Sequence, residues 1–417
     1  MVDFESLELS REMNSSIQEL GFTEATQIQE RSIPLILEGK DVIGESATGS
    51  GKTLAFGTGI VENAEPGKGV QGLVITPTRE LAEQVMDYIK ALGKPKGLKA
   101  ASIYGGVAMD PQEHALKNAD IIITTPGRFK DHMQRGNVDF SALNTLVLDE
   151  ADRMLDMGFI EDIEFIIKAC PKERQTLMFS ATIPPKMEYL AQKYMDNPEI
   201  VLTDSQVDPE RLEQIYYDVI PQLKISLLVH LIKQETSKLV MIFCNTRRAT
   251  DLIVSSLKAN GIEAVGLHGG FTQNKRNNAM EIFRNGKENV LVCTDVAARG
   301  IHVDGISHIY NYEIPNDPKD YVHRIGRTAR AGEEGKVVNL LSPEDHDNFA
   351  RILNEYRSFN VKNVKTPYVP KATVKQPPRD DRRGPRGNPR GRRDNSRKPR
   401  DGGHRGHRKD SSGRNRR

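Results

Sequence analysis

Cysteine is scarce in this chain, and long apolar runs are missing. Three cysteines, Cys170, Cys244 and Cys293, stand far apart among 417 residues. An odd number at such spacing indicates neither a disulfide framework nor a metal site; buried thiols in a reducing compartment are the expectation. No apolar stretch approaches 18 residues, so a membrane-spanning helix is not expected. The opening "MVDFESLELSREMNSS" has neither the basic start nor the apolar centre of a secretory leader. A cytoplasmic protein follows as the expectation. What is present, 37% hydrophobic and 28% charged residues, suits a soluble globular chain of two or three domains.

Charge is unevenly spread. The net charge is only +2, yet residues 371–417 hold 14 Arg and 4 Lys against 5 Asp, a local +13 that leaves −11 on residues 1–370. An acidic body with a basic tail points to a polyanionic partner for the tail. From about Thr366 onward apolar residues nearly vanish, and a segment rich in Arg, Gly, Pro and Asp cannot bury enough surface to offset its ordering entropy. The tail is therefore expected to be disordered.

Before the tail, short β-branched runs alternate with helical patterns. Examples are "DVIGES" (41–46), "GLVITPT" (72–78), "DIIITTP" (120–126), "TLVLDEAD" (145–152) and "TLMFSAT" (176–182). After the polar break 203–211 a second series follows: 239–246, 264–270, 290–296, 308–315 and 336–342. Near-continuous apolar strands of this kind belong to parallel sheets covered by helices on both faces. Two tandem α/β domains are expected, with ligands at the C-terminal ends of the strands. The boundaries are set at 1–204 and 213–366, with a linker at 205–212 and the tail at 367–417.

The stretch "GESATGSGKT" (44–53) nearly matches the phosphate-loop pattern, but Ser46 occupies the first glycine position. It lies between a strand and a helix, as that motif requires. Backbone N–H groups of Gly49, Ser50, Gly51 and Lys52 can gather round phosphate oxygens, with Ser46, Ala47 and Thr48 as the rest of the nucleotide-binding loop. Lys52 would reach the β- and γ-phosphates, and Thr53 would offer a hydroxyl to Mg²⁺. The competing interpretation is a chance glycine-rich turn. It weakens 97 residues beyond Lys52, where a strand ends in Asp149 and Glu150. Asp149 would hold Mg²⁺, largely through water, and Glu150 would orient and deprotonate the attacking water.

"DEAD" (149–152) after "SATGSGKT" resembles the DEAD-box ATP-dependent RNA helicases, and the resemblance covers most of residues 4–342. It adds "GFTEATQIQ" (21–29), "PTRELA" (77–82), "GG" (105–106), "TPGR" (125–128) and "SAT" (180–182). "FCNTR" (243–247), "QNKR" (273–276), "TDVAARGIHV" (294–303) and "YVHRIGRTARAG" (321–332) follow in the family's order. The family usually has Ala where Ser46 stands, so the missing glycine is a family trait.

The resemblance implies two RecA-like domains and an RNA-dependent ATPase that separates short duplexes locally, with ATP and Mg²⁺. Gln29 would read adenine, with Phe22 against its face and Phe4 at the upstream aromatic position. Arg327 and Arg330 would reach the γ-phosphate from the second domain. Asp152, Ser180, Thr182 and His323 would couple the ATP site to RNA, with both hydroxyls bonded to Asp152. RNA would be held by Thr78, Arg79, Gly105, Gly106, Thr125, Gly127 and Arg128 in domain one. In domain two the corresponding residues are Thr246, Arg247, Gly269, Gln273, Arg276, Thr294 and Asp295. Few aromatics interleave these motifs, so sequence-independent contacts to phosphates and 2′-hydroxyls are expected. The tail would add salt-sensitive attraction to RNA, and a monomer is expected.

Three positions depart from the family pattern. His302 replaces an Asp near the ATP ribose, which predicts weaker, pH-sensitive ATP affinity. Ala25 replaces a proline, loosening its turn, and Ala329 replaces a frequent glycine, tolerable unless φ there is positive. An RNA chaperone or ATP-gated clamp with little net unwinding is the alternative function. A DNA helicase on the same fold is disfavoured by the Q motif and by "DEAD".

Overall fold

The computed structural model describes residues 2–47, 49–203, 212–235, 238–298, 303, 305–329 and 334–376. Thr48, His302 and Arg330, the linker 204–211 and the tail from 377 lie outside the described residues.

Two seven-stranded sheets make up the body. The first comprises β1 (Val42–Glu45), β2 (Gly72–Ile75), β3 (Ala100–Ile103), β4 (Ile121–Thr124), β5 (Thr145–Asp149), β6 (Gln175–Ser180) and β7 (Glu199–Leu202). The second comprises β8 (Leu212–Asp218), β9 (Leu239–Cys244), β10 (Ala264–Leu267), β11 (Val290–Thr294), β12 (Ile306–Asn311), β13 (Gly335–Leu341) and β14 (Val361–Asn363). Every pairing inside them is parallel. The first runs β3-β4-β2-β5-β6-β1-β7 and the second β10-β11-β9-β12-β13-β8-β14, so one strand order occurs twice. A short antiparallel pairing of Val2–Asp3 with Glu24–Ala25 precedes them.

Alternation along each strand builds a core on both faces. Val74, Ile123, Val147 and Phe179 join one cluster, while their neighbours Leu73, Ile122, Leu148 and Met178 join another. The second sheet divides likewise, with Met241 and Phe243 on one face and Val240 and Ile242 on the other. Period-two geometry sends successive side chains to opposite faces, and helices cover both. This double burial is why the strands read as unbroken apolar runs.

The three thiols are buried and unbridged, and burial raises that of Cys170 to about 11. None of the helices among the described residues is long and apolar enough to cross a membrane. Ala25 is fully buried and paired with Val2.

The tail begins later than composition indicates. Val369 is buried, and Ala372 N donates to Ser226 Oγ at 3.0 Å. Thr373 N donates to Asn260 Oδ1 at 3.1 Å, Asn260 Nδ2 returns a bond to Thr373 O at 2.9 Å, and Lys375 N donates to Ser256 Oγ at 3.2 Å. The boundary at 367 is therefore corrected: residues through Lys375 strap across the helices Lys224–Gln234 and Arg247–Ala259. One buried valine and side-chain partners for the backbone hold this strap, and neither alters composition much.

Candidate functional site

β1 delivers the phosphate loop. Gly49 and Gly51 have φ of 88° and 94°, and Gly51 caps the helix Lys52–Asn63. A Cβ on Gly51 would fall 2.3 Å from Gln29 Nε2, so both its torsion and the space require glycine. Ser46 is not among the residues with positive φ. Its N–H continues the ladder to Ser180 O at 3.1 Å, so a side chain is accommodated there. Lys52 is buried, with Nζ donating to Ser46 O at 2.6 Å and Ser180 O at 3.1 Å. Burial lowers its pKa, while Asp149, Asp152, Glu150 and Glu45 pull it up. The Ser50 hydroxyl is buried with no hydrogen-bond partner, an unmet polar atom facing a loop of backbone donors.

The Q motif braces this loop. Thr26 caps the helix Gln27–Leu37; Gln29 Oε1 accepts from Thr26 N at 2.9 Å in a capping box. Gln29 Nε2 donates to Gly51 O at 3.0 Å, and Thr26 Oγ1 to Ser50 O at 2.7 Å. Phe22 is half-buried and stacks on Tyr88 with centroids 6.4 Å apart. Phe4 sits in the hydrophobic core at 3% exposure, which anchors the N-terminal segment to the first sheet.

β5 ends at Asp149, whose Oδ1 accepts from Glu150 N at 3.0 Å. Burial drives its pKa up to about 7, with the charge of Glu150 adding and Lys52 opposing. Glu150 holds left-handed torsions, φ 49° and ψ 49°, a costly conformation for a side-chain-bearing residue. Its Oε2 accepts from Arg153 Nη1 at 2.5 Å. Asp152 Oδ2 accepts from Ala181 N at 3.2 Å, and from Thr182 N and Oγ1 at 3.1 Å each. The expected pair of hydroxyls on Asp152 is thus corrected. Thr182 binds it, whereas Ser180 Oγ donates to Thr182 O at 2.7 Å, because the chain turns sharply enough to bring that carbonyl back.

Arg324 is the residue that sequence reasoning missed in the second lobe. At 1% exposure it directs two bonds to Asp295 (2.6 and 2.7 Å), and others to Asn311 Oδ1, Glu313 O and Asn245 Oδ1. All five donors of its guanidinium are engaged. The available signal was its place on the strongly amphipathic helix Pro318–Ile325, one turn before Arg327. Arg327 is also buried, and its Nε donates to His323 O at 3.2 Å. His323 reaches the first lobe, lining a void of about 10 Å³ with Lys52, Glu150, Asp152, Arg153 and Ala181. The first lobe's carboxylates and the second lobe's imidazole thus share one water-sized space.

Besides Thr26, four described helices have threonine N-caps: Thr78, Thr125, Thr246 and Thr272. Each follows the C-terminal end of a parallel strand, so helix N-termini from both sheets line the same edges, a disposition suited to phosphates. Arg79 lies over the Tyr104 ring at 4.9 Å, and its Nε and Nη2 are buried without hydrogen-bond partners. Gly106, φ 80°, leaves room for it, since a Cβ there would be 2.6 Å from Arg79 Nη1. Gly105 and Gly127 face open space, and Arg128 Nη1 donates to Val107 O at 3.0 Å. In the second lobe Arg247 packs beside Gly269, and Gln273 Nε2 donates to Asn277 Oδ1 at 2.7 Å. Thr294 ends β11, buried. Arg276 spans the lobes, with Nη2 2.7 Å from Glu80 Oε1, and Asp295 is committed to Arg324. Those two side chains are engaged within the protein.

Comparison with known proteins agrees with this geometry. Residues 26–190 match the DEAD/DEAH box helicase family, and residues 223–332 the helicase conserved C-terminal domain. The ATP-dependent RNA helicase CshA of Limosilactobacillus reuteri is 44% identical over 347 residues, covering 82% of this chain and 70% of that protein. The DEAD-box ATP-dependent RNA helicase CshA of Bacillus subtilis is 41% identical over 374 residues, covering 89% of this chain and 76% of that one. Among solved structures, S. cerevisiae Dbp5 bound to RNA and ADP BeF3 superposes with a TM-score of 0.80 at 29% identity, covering 88% of this chain and 96% of that one. Mss116p bound to ssRNA and AMP-PNP gives 0.77 at 30% identity, covering 88% and 80%. With a phosphate loop braced by its Q motif, a DEAD strand end and relatives of this closeness, the chain belongs to the DEAD-box ATP-dependent RNA helicases.

Proposed function

We propose that this helicase uses ATP and RNA together to draw its two lobes around a shared site, and that this closure separates short duplexes locally. The observation that carries the reading is the void that joins Lys52 and Glu150 of the first lobe to His323 of the second. Lys52 and the loop amides bind the phosphates, Gln29 orients the base, and Glu150 positions and deprotonates the attacking water. Arg327 and Arg330 complete the charge stabilisation from the second lobe, so hydrolysis depends on closure.

A divalent cation fits the residues present. Asp149 is a buried carboxylate whose ordinary ionisation is suppressed by burial, and a nearby cation would offset that cost. No cluster of three or more acidic, histidine or cysteine ligands occurs among the described residues, so protein ligation rests on Asp149 and Thr53. Bound Mg²⁺ neutralises phosphate charge there.

RNA lies along the helix N-termini of both lobes, held by Thr78, Arg79, Thr125, Arg128, Thr246, Arg247 and Gln273 and by the adjoining glycines. The spare donors of Arg79 support this. The protein acts as a cytoplasmic monomer whose basic tail tethers RNA without entering the ATP cycle. The test is the steady-state ATPase rate with and without single-stranded RNA or DNA, for wild type and Glu150→Gln. RNA-specific stimulation that the substitution removes supports the reading; hydrolysis indifferent to RNA sinks it. Tail-driven annealing that survives Glu150→Gln, without net unwinding, would favour the chaperone alternative.

A further inference from the structure

One buried imidazole of the second lobe has no part in the cycle described so far. β10 ends at Leu267, and the chain turns through His268, Gly269 and Gly270 before the helix Gln273–Arg284. His268 is 6% exposed, whereas both glycines lie in the open. Gly270 N donates to His268 Nδ1 at 3.1 Å, so that nitrogen is an acceptor and carries no proton. The ring proton therefore sits on Nε2, which donates to Asp251 Oδ1 at 3.1 Å. Asp251 stands on the helix that Arg247 begins. A carboxylate on one ring nitrogen thus fixes the other as an acceptor.

The turn is organised around this ring. Phe271 N donates to His268 O at 3.1 Å, and the Phe271 ring lies 4.1 Å from the imidazole, with Lys275 Nζ 3.8 Å from its own centroid. A Cβ on Gly270 would fall 3.0 Å from His268 Cε1, so ring and backbone are in close contact. The N–H of Gly269 makes no hydrogen bond among the described residues, and a Cβ there would lie 3.3 Å from Arg247 Nη2. A spare amide beside a guanidinium suits a phosphate oxygen. Two successive glycines are otherwise costly to order. An acceptor already in place restrains them before any ligand arrives.

We propose that His268, oriented by Asp251, is a positioning residue that presets the Gly269–Gly270 turn of the second lobe for RNA. Neither side chain touches the nucleic acid; both act through the backbone of the turn. Asp251 keeps the ring proton on Nε2, Nδ1 holds the Gly270 N–H, and the peptide between the glycines is thereby fixed. Without that acceptor the turn must be ordered on binding, so RNA affinity falls while the chemistry at ATP is untouched. The proposal rests on RNA lying along the helix N-termini of both lobes, as described above.

The test is the ATPase of the full chain, titrated with a single-stranded RNA oligonucleotide to separate the saturated kcat from the half-saturating RNA concentration. His268→Leu should raise that concentration about fivefold, the size of one net hydrogen bond, at unchanged saturated kcat. His268→Asn should stay near wild type, because its Oδ1 takes the place of Nδ1 and can accept from an N–H two residues on. Asp251→Ala leaves the proton free to sit on either nitrogen. With about half the molecules then competent, the half-saturating concentration should rise about twofold. In the His268→Leu background Asp251→Ala should add nothing, since the two act as one unit. A merely structural histidine predicts otherwise: both His268 variants lose saturated kcat and melting temperature together. That pattern, or an unchanged half-saturating concentration in His268→Leu, overturns the proposal. Should His268→Leu not fold, Asp251→Ala decides alone, because its side chain is 44% exposed and an unchanged RNA requirement refutes the relay. A wild type whose hydrolysis ignores RNA removes the underlying reading itself, and that outcome is recognisable before any variant is made.

Discussion

Ala329 sits at φ 53°, in the left-handed region that a Cβ disfavours by about 1 kcal/mol. The family's glycine would fit there without strain. A Cβ built on Gly335 would meet Ala329 N at 2.8 Å, so the two segments are pressed together and the torsion cannot relax easily. Ala329→Gly should therefore stabilise the protein by roughly 0.5 kcal/mol, the relief of strain being partly cancelled by greater freedom of the unfolded chain. Urea unfolding checks this: the midpoint should rise at unchanged slope, and a fall would show that the alanine is not strained. Gly51 is the opposite case. Gly51→Ala adds a Cβ 2.3 Å from Gln29 Nε2 at a φ of 94°, so it must displace either the Q-motif glutamine or the loop. Nucleotide affinity should fall about tenfold as Gln29 or the loop is displaced, and the melting temperature should fall slightly, because the torsional penalty of about 1 kcal/mol is borne by the folded state. Titration with a fluorescent ATP analogue measures it. Neither residue's torsion was legible in the sequence; only the motif position signalled that one mattered.

At the scale of elements, all ten strands expected from β-branched runs are present, because burial on both faces makes such strands read as apolar blocks. The strands without such a reading are β3, β7, β8 and β14, and three of these sit at sheet edges where one side is less covered. β8 is different, since its pattern "LEQIYYD" alternates and carries polar residues inward: Gln214 is buried and accepts from Tyr321 Oη at 2.9 Å. The candidate site was legible as motifs but not as partnerships. Gln29 on Gly51 and Arg324 on Asp295 each join residues whose spacing gives no hint of contact. One such partnership is Lys224 with Asp345, 2.7 Å apart and both nearly buried. For Asp345 burial alone would raise the pKa, but hydrogen bonds from Lys224 and Ser342 outweigh it and the net shift is downward. Asp345→Asn strands a buried ammonium and should cost about 3 kcal/mol at pH 7. Because the folded pKa lies below the ordinary 3.8, the pair's contribution is complete above that value and is lost as pH falls through the folded pKa. The difference in melting temperature between wild type and variant should stay level from pH 7 to about 5 and close only at strongly acidic pH. A gap that closes near neutrality would refute the assignment.

At the scale of the whole molecule, the repeated strand order sets Lys224 where Lys52 stands: each is the first residue of the helix after its sheet's corresponding strand, β1 or β8. The first lobe's approach is a glycine loop. The second lobe's is Pro221–Leu223, a tight turn with no glycine, and its lysine is neutralised by Asp345 rather than left to meet a phosphate. One fold thus makes a glycine-lined, lysine-bearing loop once and seals the corresponding place once. The tail belongs to this scale too. Its charge is remote in sequence from every motif, and the strap through Lys375 ties its origin to the helices Lys224–Gln234 and Arg247–Ala259. Deleting residues after Gln376 should leave the strap, the melting temperature and the RNA-saturated kcat intact. The concentration of RNA needed for half-maximal ATPase should rise, and its dependence on salt should flatten, because each phosphate contact removed lowers the slope of log K against log salt by about 0.7 on single strands. Cutting at Lys371 instead removes the bonds from Ala372, Thr373 and Lys375, and should also lower the melting temperature. Comparing the two truncations separates attraction by charge from support of the fold. If both have the same salt slope as the full chain, the basic segment does not engage RNA, and the asymmetry between acidic body and basic tail serves some other polyanion.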